Sequence, residues 1–168
     1  MTDLTHECDN ILKELSKFSA DLLYLGSRIT DTRVESFEKQ IGYQLPLDFK
    51  YLLKKHNGIS LFGVEILGLD EALRGSSLDE VYKSEHFEVY NKMPGMLLPF
   101  SPDGYGNHYC LDLSKLDAGF CPVIFWQHDI SYSDDEQPEV CNANLLEWIQ
   151  EVMIDWTLAD YNYDGTEK

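Results

Sequence analysis

The spacing of apolar residues changes from helical to strand-like and back to helical along this chain, and that order limits the fold more than any other feature. Helical steps of three and four run from about residue 7 to residue 56. Strand patterns follow up to residue 127, interrupted by an ambiguous segment, and helical steps return from Asn144 to Asp160. Helices before and after a block of strands are typical of an α+β fold rather than a parallel βαβ sheet. The 168 residues suit one domain with its own core. We therefore expect antiparallel strands with helices on one face.

Three helices are predicted before the first strand. The first spans residues 7–25 and ends at Gly26. The second begins near Thr32, which forms a capping box with Glu35. The third begins at Pro46, a residue that suits the first helical position, and ends at Asn57 and Gly58.

Short strands are predicted in the middle of the chain. Ser60–Phe62 and Val64–Leu67 form a hairpin that turns near Gly63, and Met96–Phe100 is an apolar run that precedes a strong turn signal. Ser77–Tyr90 is ambiguous and favours a helix.

The last third of the chain predicts a strand pair, a loop and a helix. His108–Leu113 alternates in polarity and is expected to pair with Cys121–Gln127, which is apolar on both faces in its middle. Ser131–Glu139 is predicted to be an acidic loop, and Tyr161–Lys168 a polar, frayed tail. The final helix, Asn144–Asp160, carries an apolar stripe made of Leu145, Trp148, Ile149, Val152 and Trp156.

Acidic residues dominate the charge, and they are unevenly distributed. The formal net charge is −17, from 13 basic and 30 acidic side chains. Residues 1–84 hold ten basic and 14 acidic side chains, whereas residues 85–168 hold three and 16. Such a field repels nucleic acid and anionic lipid and attracts basic partners. Solubility alone also explains a high net charge, but the asymmetry favours a basic protein partner.

The chain shows no signal-peptide pattern and no run of 18 apolar residues, so we expect a cytoplasmic protein without a membrane span. Its four cysteines are then expected to be reduced, and none forms a CxxC pair.

Two sets of residues suggest chemical sites, and each also has a simpler interpretation. Cys121 and His128 lie too far apart on one strand to share a metal ion, although a three-ligand set that uses His108, Cys110 and one of them stays open. His128-Asp129 with Asp103 could form an acid–base set, but no nucleophile motif accompanies it. Asp103 and Asn107 are better explained as residues that close a glycine turn. We expect no catalysis, no metal and no cofactor.

Several short motifs, in order along the chain, resemble the SUKH superfamily, also called the Smi/Knr-type domain. They cover roughly residues 28–160 and comprise Val34–Glu38, Ile41–Pro46, Leu45–Phe49, His56–Gly58, Leu61–Gly63, Ile66–Gly68, Leu98–Phe100, Asp103–Asn107, Tyr109–Asp112 and Pro122–Asp129. The resemblance implies an α+β domain with a bent, mostly antiparallel sheet and flanking helices. It divides the chain into an N-terminal helix at 1–27, a SUKH-like domain at 28–160 and a polar tail at 161–168.

The resemblance also implies a binding function. Bacterial members of the superfamily commonly act as immunity proteins in polymorphic or contact-dependent toxin systems, and a fungal branch belongs to a cell-wall assembly regulator. We therefore expect a protein that neutralises a cognate toxin, for example a nuclease, and the alternative is a non-catalytic regulatory scaffold.

The expected partner surface centres on the acidic loop. Its predicted residues are Asp134, Asp135, Glu136 and Glu139, with Tyr132 as an aromatic anchor and Asp103 and Tyr105 as secondary candidates. Trp126 is expected to pack in the sheet instead. The turn at Asp103–Asn107 and the strand end at His128 are expected to lie at different ends of a hairpin.

Overall fold

A computed structural model describes residues 3–73 and 75–168. The α-helices are α1 (Leu4–Leu15), α2 (Asp31–Ile41), α3 (Leu47–Lys55), α4 (Leu78–Lys83), α5 (Leu145–Trp148) and α6 (Trp156–Asp160). A π-helical turn, Ser84–Glu88, extends α4, a longer π-helical segment, Ile149–Asp155, joins α5 to α6, and a 3₁₀ turn covers Leu113–Lys115. Across these two ranges no helix is both long and apolar enough to cross a membrane.

The strands form two antiparallel sheets, which confirms the predicted α+β class. Strands β1 (Leu23–Leu25), β2 (Ile59–Leu61) and β3 (Val64–Ile66) form one sheet in that order. Strands β4 (Leu97–Pro102), β5 (His108–Asp112), β6 (Val123–Trp126) and β7 (Glu139–Asn142) form the other. The two sheets meet where the N–H of Leu67 donates to the carbonyl oxygen of Phe100 at 2.8 Å.

The predicted strand pairs are confirmed. β5 and β6 run antiparallel, with Cys110 opposite Ile124. β2 and β3 form the expected hairpin, and its two turn residues, Phe62 and Gly63, have φ values of 48° and 90°. Positive φ at both central residues is the geometry that matches the twist of a two-residue hairpin.

The prediction of one helix over residues 7–25 is wrong beyond Leu15. Leu23–Leu25 is strand β1 and pairs with β2, so a tertiary partner overrides the helical spacing. Gly26 does not end a helix, since α1 ends at Leu15, and a Cβ atom at Gly26 would clash with the carbonyl oxygen of Asn57. It permits a close approach between two chain segments.

The next two helices begin slightly away from their predicted positions. The side chain of Thr30, not Thr32, caps α2 and accepts a hydrogen bond from the N–H of Arg33 at 3.2 Å. Pro46 is the N-cap residue of α3, one position before the first helical residue, and α3 ends at Lys55 as the Asn57 and Gly58 signal indicates.

The final helix buries most of its predicted stripe, but Trp156 is an exception. Leu145, Trp148, Ile149 and Val152 are buried, whereas Trp156 is 53% exposed. The π-helical segment accommodates an extra residue in its turn, so the inward face shifts by one position. Thr157 is buried in place of Trp156.

The predicted fraying of the tail is wrong. The ring of Tyr163 packs edge-on against Phe18 with centroids 4.9 Å apart, and its carbonyl oxygen accepts from the N–H of Ser19 at 2.9 Å. Tyr161 packs on Phe62. The C-terminal residues therefore cover the segment that joins α1 to β1.

One main core joins the N-terminal helix to the rest of the fold. Cys8, Ile11 and Leu15 of α1 belong to the same buried cluster as Phe100 of β4 and Trp148 of α5. A second, smaller cluster lies on the opposite face of the four-stranded sheet. Its members are Met93, Leu97, Cys110, Ile124 and Trp126.

Candidate interaction site

The outer face of the four-stranded sheet carries the site. Alternation along β5 sends Leu111 into the main core, whereas Cys110 belongs to the outer cluster. On the neighbouring strand, Ile124 and Trp126 face the same outer side and are 4% and 2% exposed. The expected burial of Trp126 is therefore confirmed. Trp126 belongs to the smaller cluster on the outer sheet face rather than to the main core.

A cavity of about 390 Å³ opens on this face. Leu97, Ile124, Trp126 and Val140 line it from the strands, and Pro94 and Met96 line it from the segment before β4. The segment that joins β6 to β7 contributes Tyr132, Ser133, Asp134, Gln137 and Pro138, and Asp112 and Lys115 complete the lining. An apolar concavity with a few polar groups is the usual form of a binding pocket.

The loop beside the cavity is held by its own hydrogen bonds. The Tyr132 ring packs on Trp126 with centroids 4.7 Å apart, and its hydroxyl oxygen accepts from the N–H of Gln127 at 3.0 Å. Ser133 and Glu136 exchange backbone hydrogen bonds of 3.0 and 3.2 Å. These contacts hold the backbone of the loop in one conformation, which lowers the ordering cost of binding.

A second set of contacts holds the segment that joins β6 to β7 against the rest of the sheet face. The side-chain amide of Asn91 donates to the carbonyl oxygens of His128 and Ile130, at 3.0 and 2.9 Å. Asn91 thus anchors the start of the segment that joins β6 to β7, and Tyr132 anchors it further along.

The residues predicted for the acidic loop separate into two groups. Tyr132 and Asp134 line the cavity, and Tyr132 is partly buried rather than freely exposed. Asp135 and Glu136 are exposed on the same loop. Glu139 is exposed as well, but it is the first residue of β7, so the loop ends earlier than expected.

The secondary candidates lie on the turn between β4 and β5. Asp103 accepts hydrogen bonds from the N–H groups of Tyr105 and Asn107, at 2.7 and 3.0 Å, and from the side-chain amide of Asn107 at 2.9 Å. Partial burial raises the pKa of Asp103, but these hydrogen bonds outweigh it and leave the pKa below its usual value. The predicted role of Asp103 in closing the turn is confirmed. Tyr105, in the same turn, is 83% exposed.

The expectation that this turn and His128 lie at different ends of a hairpin is wrong. The register places His108, where β5 begins, opposite Trp126, where β6 ends. The side-chain oxygen of Asn107 accepts from the backbone N–H of His128 at 3.1 Å and lies 2.8 Å from its Nδ1. Because the amide group of Asn107 donates to Asp103, its oxygen is the acceptor, and Nδ1 of His128 carries the hydrogen.

The His and Cys residues of the possible metal set have other contacts. His108 Nε2 lies 3.1 Å from a carboxylate oxygen of Glu85, and Cys110 Sγ lies 3.8 Å from the sulfur of Met93. Burial raises the pKa of the Cys110 thiol well above its ordinary value, and burial, aided by Asp48 and Asp112, raises that of Cys121 to about 12. All four cysteines are free, and among the described residues no three His, Cys, Asp or Glu side chains form a group that could hold a metal ion.

Sequence reasoning missed strand β7 and the cavity beside it. β7 is only four residues long, and its Val140 and Cys141 follow Pro138 and an acidic run that together indicate a loop. The sequence offered little signal for β7, because Glu139–Asn142 has no strict alternation of polar and apolar residues. The cavity had none, because its shape depends on how the loop folds back over the sheet.

Comparisons with known proteins agree with this architecture. A model of the SMI1/KNR4 family (SUKH-1) matches residues 28–151. The chain is also similar to the SPbeta prophage-derived uncharacterized protein YokK of Bacillus subtilis, with 24% identity over 180 residues that cover 92% of this chain and 91% of that protein.

Proposed function

The chain belongs to the SMI1/KNR4 family (SUKH-1), and from this premise we propose that it is an immunity protein that binds and neutralises a protein toxin. SUKH domains are commonly immunity proteins and generally non-catalytic. In this proposal the protein works in the cytoplasm of the cell that it protects. Its action is stoichiometric binding, and it needs no metal or cofactor.

The observation that supports this proposal most is the fixed acidic loop beside an open cavity. Asp134, Asp135 and Glu136 lie in the half of the chain that carries 16 acidic and three basic side chains. A loop of this charge complements a basic groove of the kind that nucleases use for nucleic acid. Occupying such a groove denies the toxin its substrate without any chemistry.

In this proposal the acidic loop and the apolar cavity affect different steps of binding. Exposed carboxylates steer a basic partner and raise the association rate. The apolar cavity offers a place for a desolvated anchor, and buried anchors mainly slow dissociation. The combination suits an immunity protein, which must capture its toxin quickly and hold it.

Co-expression tests the proposal. The chain is first used as bait to capture a toxin, and the two proteins are then produced together in cells that the toxin alone kills. We expect growth to be restored and the two proteins to co-purify. Continued killing at equal toxin levels, with the chain folded and abundant, would contradict an immunity function. A regulatory scaffold would instead co-purify with a partner without protecting the cell.

A further inference from the structure

The cavity on the outer sheet face combines an apolar interior with an acidic edge. Ile124 and Trp126 are almost fully buried beneath it, whereas Val140 is 58% exposed. The tilted Trp126–Tyr132 pair adds two aromatic rings to the lining. Such a lining accommodates an aliphatic stem and a flat group in contact with an aromatic surface.

The two carboxylates of the lining differ in how far their charge is compensated. Asp112 accepts from the hydroxyl of Ser114 at 2.6 Å and lies 3.9 Å from the ammonium nitrogen of Lys115. Asp134 forms no ion pair with any residue that the structure describes, and Asp135 and Glu136 follow it. The loop side of the cavity is therefore the anionic side.

We propose that this cavity receives an arginine side chain of the toxin, with its guanidinium group on the carboxylate of Asp134 and its stem against Ile124 and Val140. The inference rests on the proposed function and names the group that the toxin presents. A guanidinium group is planar, stacks on aromatic rings, is weakly hydrated and binds a carboxylate through two parallel hydrogen bonds. A lysine ammonium group is strongly hydrated and makes no such planar contact.

The charge of the chain disfavours a second copy of itself as the occupant. Residues 85–168 contain only three basic residues, and two copies at −17 each repel one another. Arginine is also the side chain with which proteins grip phosphate groups. If the toxin is a nuclease, an arginine held in this cavity is removed from its contact with nucleic acid.

Short peptides test the site without the toxin. The full chain is titrated at millimolar concentration with acetyl-Gly-Gly-Arg-Gly-Gly-amide, and with the same peptide carrying citrulline or lysine, while NMR follows the Ile124 and Val140 methyl groups and the Trp126 indole N–H. We expect the arginine peptide to shift these signals, and the neutral citrulline isostere and the lysine peptide to shift them much less. Equal shifts for the three peptides, or no shift at the cavity, would overturn the proposal.

Matched variants locate the charge and the space. Asp134→Asn is expected to weaken arginine-peptide binding about threefold, the size of an exposed ion pair. Asp129→Asn, an exposed carboxylate outside the lining, is the control. Val140→Trp fills the opening with a residue that strands tolerate well, so it is expected to abolish the Ile124 shift. Binding that is equally strong in Asp134→Asn and Asp129→Asn, or that persists in folded Val140→Trp, contradicts the assignment.

The growth test separates this inference from the immunity function. If the wild-type chain protects cells but the peptides do not distinguish arginine from citrulline, the arginine site fails and immunity stands. If the arginine peptide binds as expected but no toxin is neutralised, the immunity proposal fails instead. Protection that weakens in Asp134→Asn and Val140→Trp, but not in Asp129→Asn, supports both.

Discussion

Asp48 places a carboxyl group in the main core, at the first turn of α3 and close to the start of α5. Its side chain is 0% exposed, and one oxygen accepts from the N–H of Phe49 at 2.8 Å. Burial raises the pKa of Asp48 to about 7, although the N–H groups of Phe49 and Leu145 act to lower it. The second oxygen has no hydrogen-bond partner, so this group favours the protonated form.

The pH dependence of stability follows from that shift. The folded state holds the Asp48 proton more tightly than the unfolded state, whose pKa is near 3.8. The protonated carboxyl group stabilises the fold fully below pH 3.8, and this stabilisation is lost as pH rises through about 7. The free energy of unfolding therefore falls by roughly 2 kcal/mol between pH 5 and pH 8. We expect Asp48→Asn to lose less stability over this interval, measured by urea unfolding at both pH values. Asp135→Asn, an exposed control, should keep the wild-type slope, and an equal slope in Asp48→Asn would refute the assignment.

Asn107 joins two turns through one side chain. Its amide group donates to Asp103, and its oxygen accepts from two N–H groups of His128. Asn107→Ala leaves partly buried groups without partners and is expected to cost about 1–3 kcal/mol in urea unfolding. Tyr105→Ala, in the same turn but 83% exposed, should change stability little. A fully stable Asn107→Ala would show that the link between the turns contributes nothing.

At the scale of elements, the π-helical segment Ile149–Asp155 decides which tryptophan holds the final helix to the sheet. Trp148 is fully buried and packs edge-on against Phe100 and Tyr109, with centroids 4.8 and 5.3 Å away. Trp156, beyond the π segment, is half exposed. Two residues that an ideal helix would place on one stripe therefore have unequal roles.

This inequality predicts unequal stability losses. Trp148→Ala is expected to cost about 3–5 kcal/mol, the usual loss for a large buried aromatic residue. Trp156→Ala is expected to cost less than about 1 kcal/mol because little packing is lost. Urea unfolding of both variants checks this, and Trp148→Phe serves as a milder change if Trp148→Ala does not fold. Comparable losses at the two positions would contradict the inward shift at the π segment.

The spacing of apolar residues predicted those helices and strands in which the apolar positions are also the buried ones. The remaining elements depend on tertiary partners. The β5–β6 pair and the start of the final helix could be read from alternation and periodicity. Strand β1 could not, because Leu23–Leu25 is a strand only when β2 pairs with it. In the candidate site, charge identified Asp134, but the contribution of Ile124 and Val140 depends on the loop folding over the sheet.

Across the whole molecule, the basic residues neutralise one part of the acidic charge and leave another uncompensated. Lys17, Arg33, Lys50, Lys54 and Lys55 each form an ion pair with a carboxylate at 2.7–3.1 Å, and all five lie in the first third of the chain. Among the described residues, the acidic loop at Asp134–Glu136 has no such partner. The negative charge of this loop is therefore uncompensated where the proposed partner binds.

That charge predicts the kinetics of toxin capture. With Asp134, Asp135 and Glu136 changed to Asn, Asn and Gln, the association rate with a basic toxin should fall roughly tenfold at low salt, while dissociation changes less. Rising salt should slow wild-type association, since the Debye length shrinks to about 8 Å at physiological ionic strength. A control with the same net charge changes the exposed Glu35, Glu71 and Glu80 to Gln. Stopped-flow mixing at low and high salt measures these association rates. An equal fall in rate in both triple variants means that net charge alone steers the encounter. An unchanged rate in the loop variant removes the loop from the binding surface. Urea unfolding of the loop variant should match the wild type, because exposed charges contribute little to stability.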